Sequence, residues 1–289
     1  MMQKPLVNWD EILRLTRPML FPEGNAAPPS AYGAWDKNAA FYDQMAKMEA
    51  KHTLNQINCF DTASTDTVLD CGCGPGRISV PMAKRAKSVT SLDSSPKMLE
   101  FCAQNAKEAG LINLTTQLLS FEDIELGKNL EQHDIVICSR SFGLSDLLKL
   151  TTLAKKYVVT VIWSHGCPSI PEISGYLFEG TEDELSERPP FMGMRQDRRL
   201  GNNMIYNRVY DLGFEPNLNV VEDGFTKTFA CRDEAYADLR RLRSNMKDDK
   251  LPIFRANVDK FLTENADGTV TYFCGTKSVV VWWKPERAE

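Results

Sequence analysis

The sequence predicts an α/β fold in which a doubly wound, mostly parallel sheet is covered by helices. Short apolar runs recur near 66–71, 89–93, 114–119, 134–138 and 157–163, and stretches with helical spacing separate most of them. This alternation is typical of a parallel sheet wrapped by helices. The chain has 289 residues, and 43% of them are hydrophobic, which is enough for a substantial core.

Residues 1–60 are predicted to form a helical extension ahead of the sheet. Prolines and glycines crowd residues 22–33 and indicate a linker. From residue 35 onward one apolar stripe follows helical spacing: Trp35, Ala39, Tyr42, Met45 and Met48. Two interpretations are open. The helix lies over the mouth of a ligand site that Trp35 or Tyr42 closes, or its stripe packs on the sheet.

The first predicted strand ends in an acid that is followed by three alternate glycines: Asp70, Gly72, Gly74 and Gly76. Glycine tolerates positive φ and has no Cβ, so the main chain turns sharply here and approaches a ligand closely. The dinucleotide fingerprint Gly-x-Gly-x-x-Gly fails from either possible start, because its last position is neither glycine nor alanine. The spacing therefore indicates a different nucleotide ligand, and the alternative is an ordinary tight turn between strand and helix that binds no ligand.

A second acid, Asp93, closes the next strand at the distance where a βαβ unit places a carboxylate against ribose hydroxyls. The following helix is predicted to start at the cap residue Ser95 and to end at Gly110. Ser94 and Met98 then lie where the sugar and the base of a ligand would come.

The pattern Asp-x-Gly-x-Gly-x-Gly followed by a ribose acid resembles the class I S-adenosylmethionine-dependent methyltransferases. The resemblance is strong over residues 66–164 and looser in the C-terminal third. It implies a Rossmann-like sheet of about seven strands with an antiparallel closing strand. It also implies S-adenosylmethionine as cofactor, with Asp70 at the methionine end and Asp93 on the ribose.

The same resemblance makes the glycine turn the cofactor loop, with four lining residues: Gly72, Cys73, Gly74 and Gly76. The activity it implies is direct methyl transfer to an acceptor. Two alternatives stay open: a nicotinamide-dependent oxidoreductase on a similar sheet, or a protein that binds S-adenosylmethionine without turnover.

The contacts to adenine are less clearly indicated. Ser120 stands where the family often has an acid, so the adenine amino group meets Glu122, Asp123 or only backbone. Phe121 either packs beside the ring or belongs to the core.

Candidate acceptor contacts follow the fourth and fifth strands, because ligands dock at the carboxyl edge of a parallel sheet. Ser139 and Arg140 are candidates for the methionine end or the acceptor, and the alternative for Arg140 is a solvated loop arginine. His165 is a candidate base, and its alternative is a structural or surface histidine. The candidate catalytic residues are therefore His165 and Arg140, and the acceptor contacts are Trp35, Tyr42, Arg140 and His165.

The chain is expected to divide into the extension 1–60, a cofactor-binding core 61–164, an irregular acceptor lid 165–200 and a completion of the core 201–289. The last part is predicted to carry a strand near 218–222 and two inserted helices, the first capped by Asp233.

Composition and net charge limit the classes of molecule that the protein is expected to bind. The formal net charge of −5 argues against a nucleic-acid partner and favours a small-molecule acceptor. No apolar run approaches the roughly twenty residues that cross a bilayer, and charged residues interrupt any signal peptide. The eight cysteines lack disulfide spacing and suggest reduced thiols in the cytoplasm. Cys71 and Cys73 are too close for a zinc half-site, so no metal is expected, and the sequence gives no oligomeric state.

Overall fold

The computed structural model describes residues 7–9, 11–12, 35–165, 168, 170–181, 201–243 and 246–286. Its centre is an eight-stranded sheet in the order β3-β2-β1-β4-β5-β8-β6, with β7 paired to β8. The first five strands are parallel, as the sequence predicts: β1 (Thr67–Cys71), β2 (Ser88–Asp93), β3 (Leu114–Leu118), β4 (His133–Ser139) and β5 (Ala154–Trp163). The strand order reverses between β1 and β4, which creates a crevice at their carboxyl ends.

Three antiparallel strands complete the sheet: β6 (Asn217–Phe229), β7 (Leu262–Glu264) and β8 (Val270–Trp283). β8 runs antiparallel to β5, with Thr160 opposite Val281, which confirms the expected closing strand. β6 is longer than the predicted strand near 218–222, because all 13 of its residues pair with β8.

The helices covering the sheet are α1 (Ala39–Ile57), α2 (Ser79–Ala83), α3 (Pro96–Glu108), α4 (Leu147–Leu153), α5 (Ile170–Leu177), α6 (Gly201–Asp211), α7 (Arg232–Arg240) and α8 (Leu251–Asp259). The predicted limits of α3 are confirmed. Ser95 Oγ accepts the Met98 N–H at its start, and Gly110, at φ 70°, follows its end. Because these signals act within one turn of the helix, sequence alone is enough to place them.

Two expectations about the helices are wrong. The stretch after β5, predicted to be irregular, contains the regular helix α5, while residues 182–200 lie outside the described part. The N-cap of α7 is Cys231, so Asp233 lies in the first turn rather than at the cap. An acid in the first turn still interacts favourably with the positive end of the helix dipole. The predicted linker at 22–33 also lies outside the described residues.

The largest apolar clusters follow the layers of the sheet. One contains Leu69 and Val136, and another contains their strand neighbours Val68 and Ile135 on the opposite face. A further cluster joins β6 and β8 to α1, α5, α7 and α8, and includes Met45, Met48, Phe225, Phe254 and Tyr272. The two methionines therefore pack on the sheet, which is the second of the two interpretations of the α1 stripe.

Within the described ranges, no helix combines the length and the apolar composition needed to cross a bilayer. The seven cysteines in those ranges are free thiols.

Candidate functional site

The glycine turn after β1 lies between two walls, helix α3 on one side and the turn after β4 on the other. All three of its glycines have positive φ: 72° at Gly72, 54° at Gly74 and 90° at Gly76. A Cβ on Gly72 would lie 2.5 Å from the Cβ of Ser141, and a Cβ on Gly76 would lie 2.9 Å from Cys102 Sγ. At Gly74 the nearest atom would be Met98 Sδ, 4.0 Å away. The turn is therefore closed on both flanks, and its middle residue has the most space.

Asp70 ends buried at the base of this turn, with only 1% of its surface exposed. Its Oδ2 accepts a hydrogen bond from Ser79 Oγ at 2.6 Å. Its Oδ1 is buried and has no hydrogen-bond partner in the described part of the chain. Burial raises the pKa of this carboxyl to about 6, although the Ser79 hydrogen bond and the charge of Arg77 act in the opposite direction. A buried acceptor without a donor costs free energy, so the geometry favours a ligand that donates here.

Asp93 braces the turn from the end of β2. Its Oδ2 accepts the N–H of Gly74 at 2.8 Å, and its Oδ1 accepts the N–H of Ser95 at 2.9 Å. Burial raises the pKa of Asp93, and these backbone hydrogen bonds partly offset that effect. Each carboxylate oxygen has a second lone pair, so Asp93 retains capacity for ligand hydroxyls. Ser94 is half-buried beside it, and Met98 is buried under Gly74.

Cys73 is placed differently from the expectation that it faces the ligand. Its side chain is buried against Leu99 and Cys102 of α3. Its N–H donates to Leu92 O, and its carbonyl accepts the N–H of Gly76. Both main-chain groups of Cys73 therefore stabilise the turn itself.

The turn after β4 forms the second wall. Ser141 Oγ donates to Cys71 O at 2.8 Å, which holds this turn against Gly72. Ser139 Oγ accepts a hydrogen bond from Arg77 Nη2 at 2.5 Å. Arg140, at φ 53°, is the non-glycine residue of the described chain that takes up a left-handed conformation. Such a conformation costs roughly 1–2 kcal/mol, so other contacts must hold it.

Those contacts contradict the alternative of a solvated loop arginine. Arg140 Nη1 donates to both carboxylate oxygens of Glu49, at 2.9 and 3.0 Å. Its Nη2 donates to Asp223 Oδ2 at 2.9 Å and to Ser278 Oγ at 2.7 Å. The guanidinium also stacks on Trp163, 3.2 Å from the ring centroid. Both terminal nitrogens are committed to these partners, while the buried Nε has no hydrogen-bond partner among the described residues, so contact of Arg140 with an acceptor stays a prediction.

Arg77 joins the same buried network. Its Nη1 lies 3.0 Å from Glu49 Oε1 and donates to Gln56 Oε1 at 2.7 Å. Burial opposes the charge of Asp223, but the guanidinium groups of Arg140 and Arg77 outweigh it and lower the pKa of that carboxyl. Sequence reasoning missed this network. Its available signal was Glu49, an acid four residues from Met45 on the buried stripe of α1.

The candidate adenine contacts have mixed surroundings. Phe121 is 8% exposed and belongs to the core cluster that also contains Cys71 and Val136. Lys149 Nζ lies 5.2 Å from the centroid of its ring. Glu122 is exposed, and its carboxylate accepts a hydrogen bond from Ser120 Oγ. Phe121 thus has a packing role, and contact with adenine stays a prediction for both residues.

The helical extension contacts the site through aromatic and polar side chains just before α1. Trp35 makes edge contacts with Tyr42 and Phe142, at centroid distances of 5.6 and 6.4 Å. Asp36 accepts a hydrogen bond from Ser95 Oγ at 2.5 Å. These contacts fasten the residues just before α1 to the turn after β4 and to the beginning of α3.

His165 follows β5 and is exposed. The neighbouring Ser164 N–H donates to Lys277 O, which fixes the end of the strand. In the described ranges no contact joins the His165 ring to the glycine turn, so its role as a base stays a prediction. No three His, Cys, Asp or Glu side chains in those ranges are grouped to hold a metal ion.

Comparison with known proteins identifies a matching family and several similar proteins. Residues 62–163 match the family described as a methyltransferase domain. A Haemophilus influenzae protein described as uncharacterized is 30% identical over 213 residues, covering 71% of this chain and 71% of that protein. The ubiquinone biosynthesis O-methyltransferase of Haemophilus ducreyi is 33% identical over 117 residues, covering 37% of this chain and 46% of that enzyme.

A solved structure, that of the YcgJ protein from Bacillus subtilis, aligns with a TM-score of 0.45 and 16% identity. The alignment covers 80% of this chain and 96% of that one. The chain spans less than half the length of the Haemophilus ducreyi enzyme, so that similarity concerns only part of each protein.

Proposed function

The chain belongs to the class I S-adenosylmethionine-dependent methyltransferases, and we propose that it methylates a small-molecule acceptor. Its cofactor is S-adenosylmethionine, whose methyl group is bound to a cationic sulfur. The acceptor nucleophile would take this methyl group as the carbon–sulfur bond breaks and S-adenosylhomocysteine leaves. Membership of this family favours methyl transfer over the alternative activity, that of a nicotinamide-dependent oxidoreductase.

The observation that carries the cofactor site is the unpartnered Oδ1 of Asp70, buried at the glycine turn. The methionine part of the cofactor carries an ammonium group, and a buried carboxylate is a suitable acceptor for it. We assign Asp70 to that end and Asp93 to the ribose, where its free lone pairs accept hydroxyl donors. Acids on both sides of the turn complement a ligand that carries positive charge.

The remaining cofactor contacts are proposed from position along the site. Gly72, Gly74 and Gly76 shape the loop, and the open space at Gly74 gives the ligand room to approach. Further proposed contacts are Ser94, Met98, Phe121, Glu122 and Ser139. Cys73 contributes through the backbone of the turn, since its side chain packs on α3.

The proposed acceptor region lies under the aromatic group of Trp35, Tyr42 and Phe142, which the extension and the turn after β4 bring together. Displacement at an activated sulfonium needs mainly alignment, and well-oriented reactants gain about 7–11 kcal/mol from proximity. We therefore propose that this aromatic group serves mainly to align the acceptor with the methyl group. An acceptor that must lose a proton would need a base, for which His165 is the candidate.

A small acceptor agrees with the formal net charge of −5, because RNA and DNA binding depends on clustered positive charge. Free thiols agree with a cytoplasmic enzyme.

Calorimetric titration with S-adenosylhomocysteine and with NADH tests the site. We expect S-adenosylhomocysteine to bind and NADH not to bind, and Asp70→Asn to weaken the first interaction. Binding of S-adenosylhomocysteine that is unchanged in this variant would refute the assignment of Asp70.

The acceptor is tested separately with S-adenosylmethionine that carries a radioactive methyl group. Label is expected in the small-molecule fraction of a cell extract. Label that appears only in the protein or RNA fraction would overturn the proposal of a small acceptor.

A further inference from the structure

Four charged side chains next to the site, two arginines and two acids, form ion pairs with one another. Arg77 and Arg140 have side chains 11% and 14% exposed, and Glu49 and Asp223 have side chains 1% and 0% exposed. Gln56 Nε2 donates to Asp223 Oδ2 at 2.7 Å and to Glu49 Oε1 at 3.1 Å. The set is neutral and densely hydrogen-bonded, although the buried Nε of Arg140 has no hydrogen-bond partner among the described residues.

Stability alone is a weak reason to bury such a set. Replacing buried ion pairs by apolar residues of similar volume is often neutral or stabilising. α1 already packs through Met45 and Met48, so an apolar residue at position 49 would fit its buried stripe. The acid at position 49 therefore calls for another explanation.

Glu49 contacts both the end of the glycine turn and the turn after β4. Its Oε1 lies 3.0 Å from Nη1 of Arg77, the residue after the last glycine, and 2.9 Å from Nη1 of Arg140 in the turn after β4. Arg140 in turn keeps a left-handed backbone next to Ser141, whose Cβ fills the space that a side chain at position 72 would need. A shift of Glu49 would thus move the end of the glycine turn and the turn after β4 together.

We propose that Glu49 of α1 is a positioning residue for the cofactor site, which fixes the glycine turn and the turn after β4 through Arg77 and Arg140. Glu49 acts through these arginines and does not touch the ligand. The inference rests on the proposed location of the cofactor at the glycine turn. Binding to the unaltered protein tests that location, and only the variants test Glu49.

The first variant is Glu49→Gln, which keeps the shape of the side chain and removes its charge. We expect the Kd for S-adenosylhomocysteine to rise about tenfold or more, because small displacements in a preorganised site have large effects. Hydrogen exchange of the backbone at 70–77 in the ligand-free protein should become faster.

A milder variant covers the case in which Glu49→Gln does not fold. Thr53 Oγ1 accepts a hydrogen bond from Arg77 Nη1 at 3.1 Å and donates one to the backbone carbonyl of Glu49 at 3.3 Å. Thr53→Val removes both bonds without changing any charge. We expect a Kd increase of about threefold, because the bond with Arg77 is a single modest hydrogen bond, and the bond to Glu49 O lies within α1.

The control is Val258→Ala in α8, a buried residue of the apolar cluster around Phe254. It should lower Tm while leaving both the Kd and the exchange at 70–77 unchanged. The proposal is overturned if Thr53→Val and any folded Glu49→Gln protein bind S-adenosylhomocysteine with the unaltered Kd. It is equally overturned if Val258→Ala weakens binding as much as they do.

Discussion

Asp70→Asn should stabilise the ligand-free protein at neutral pH more than it does at acidic pH, each time in comparison with the unaltered protein. In the folded protein burial raises the pKa of Asp70 from 3.8 to about 6. A rise of about two pKa units corresponds to a cost of about 3 kcal/mol for the ionised form in the fully ionised range. The folded state binds the proton more tightly than the unfolded state, so this cost develops as pH rises from about 4 to 6.

Comparing two pH values isolates the ionisation, because any other effect of the asparagine is the same at both. At pH 5 the unfolded carboxyl is ionised, while the folded carboxyl is largely protonated. Between pH 5 and pH 8 the unaltered protein therefore loses on the order of 1 kcal/mol of stability that the variant does not lose. For a protein of this size the difference corresponds to about 2 °C in Tm.

Thermal unfolding followed by circular dichroism at pH 5 and pH 8, without ligand, measures this difference. Asp134→Asn is a matched control. Hydrogen bonds from Thr67 lower the pKa of Asp134, so that acid is ionised at both pH values. Its substitution should shift Tm equally at both. An Asp70→Asn shift that is the same at pH 5 and pH 8 would refute the argument that burial of the charge is costly.

Three further predictions concern the same turn. Affinity for S-adenosylhomocysteine should fall about tenfold from pH 7.5 to pH 5, because binding at Asp70 requires its ionised form, and calorimetry at both pH values would contradict this if the Kd were constant. Asp93→Ala should weaken the same binding by about 1–3 kcal/mol through lost charge-assisted hydrogen bonds, and an unchanged Kd would remove Asp93 from the ribose. Gly72→Ala should lower Tm more than Gly110→Ala, since both have positive φ but only Gly72 meets a neighbour, Ser141, at 2.5 Å. Equal losses of Tm would show that packing at Gly72 adds nothing to the backbone strain.

Sequence reasoning succeeded where the determining interactions are local. Ser95 and Gly110 limit α3 by contacts within one turn of the chain, and Asp70 and Asp93 end their strands next to the glycines. The same reasoning missed α5, because Pro171, Pro189, Pro190 and several glycines suggested an irregular stretch. Pro171 lies in the first turn of α5, where proline is well tolerated.

The network around Glu49 was out of reach for a different reason. Arg140 is 91 residues from Glu49 and 83 residues from Asp223 along the chain. No local pattern identifies such partners, since their pairing depends on where α1 and β6 pack. From the sequence, Arg140 was as compatible with solvent as with a ligand, and only the fold shows it to be committed to buried acids.

The contrast between the two groups of charges explains their different roles. The arginines and acids around Glu49 neutralise one another, so this group holds its geometry with or without a ligand. Asp70 has Arg77 as a neighbouring charge, yet its pKa is still raised, and one of its oxygens lacks a donor. A fold selected for stability alone would gain by replacing such an acid. Its presence next to the rigid network is therefore best explained by a cationic ligand, which would offset the cost of the buried carboxylate by binding there.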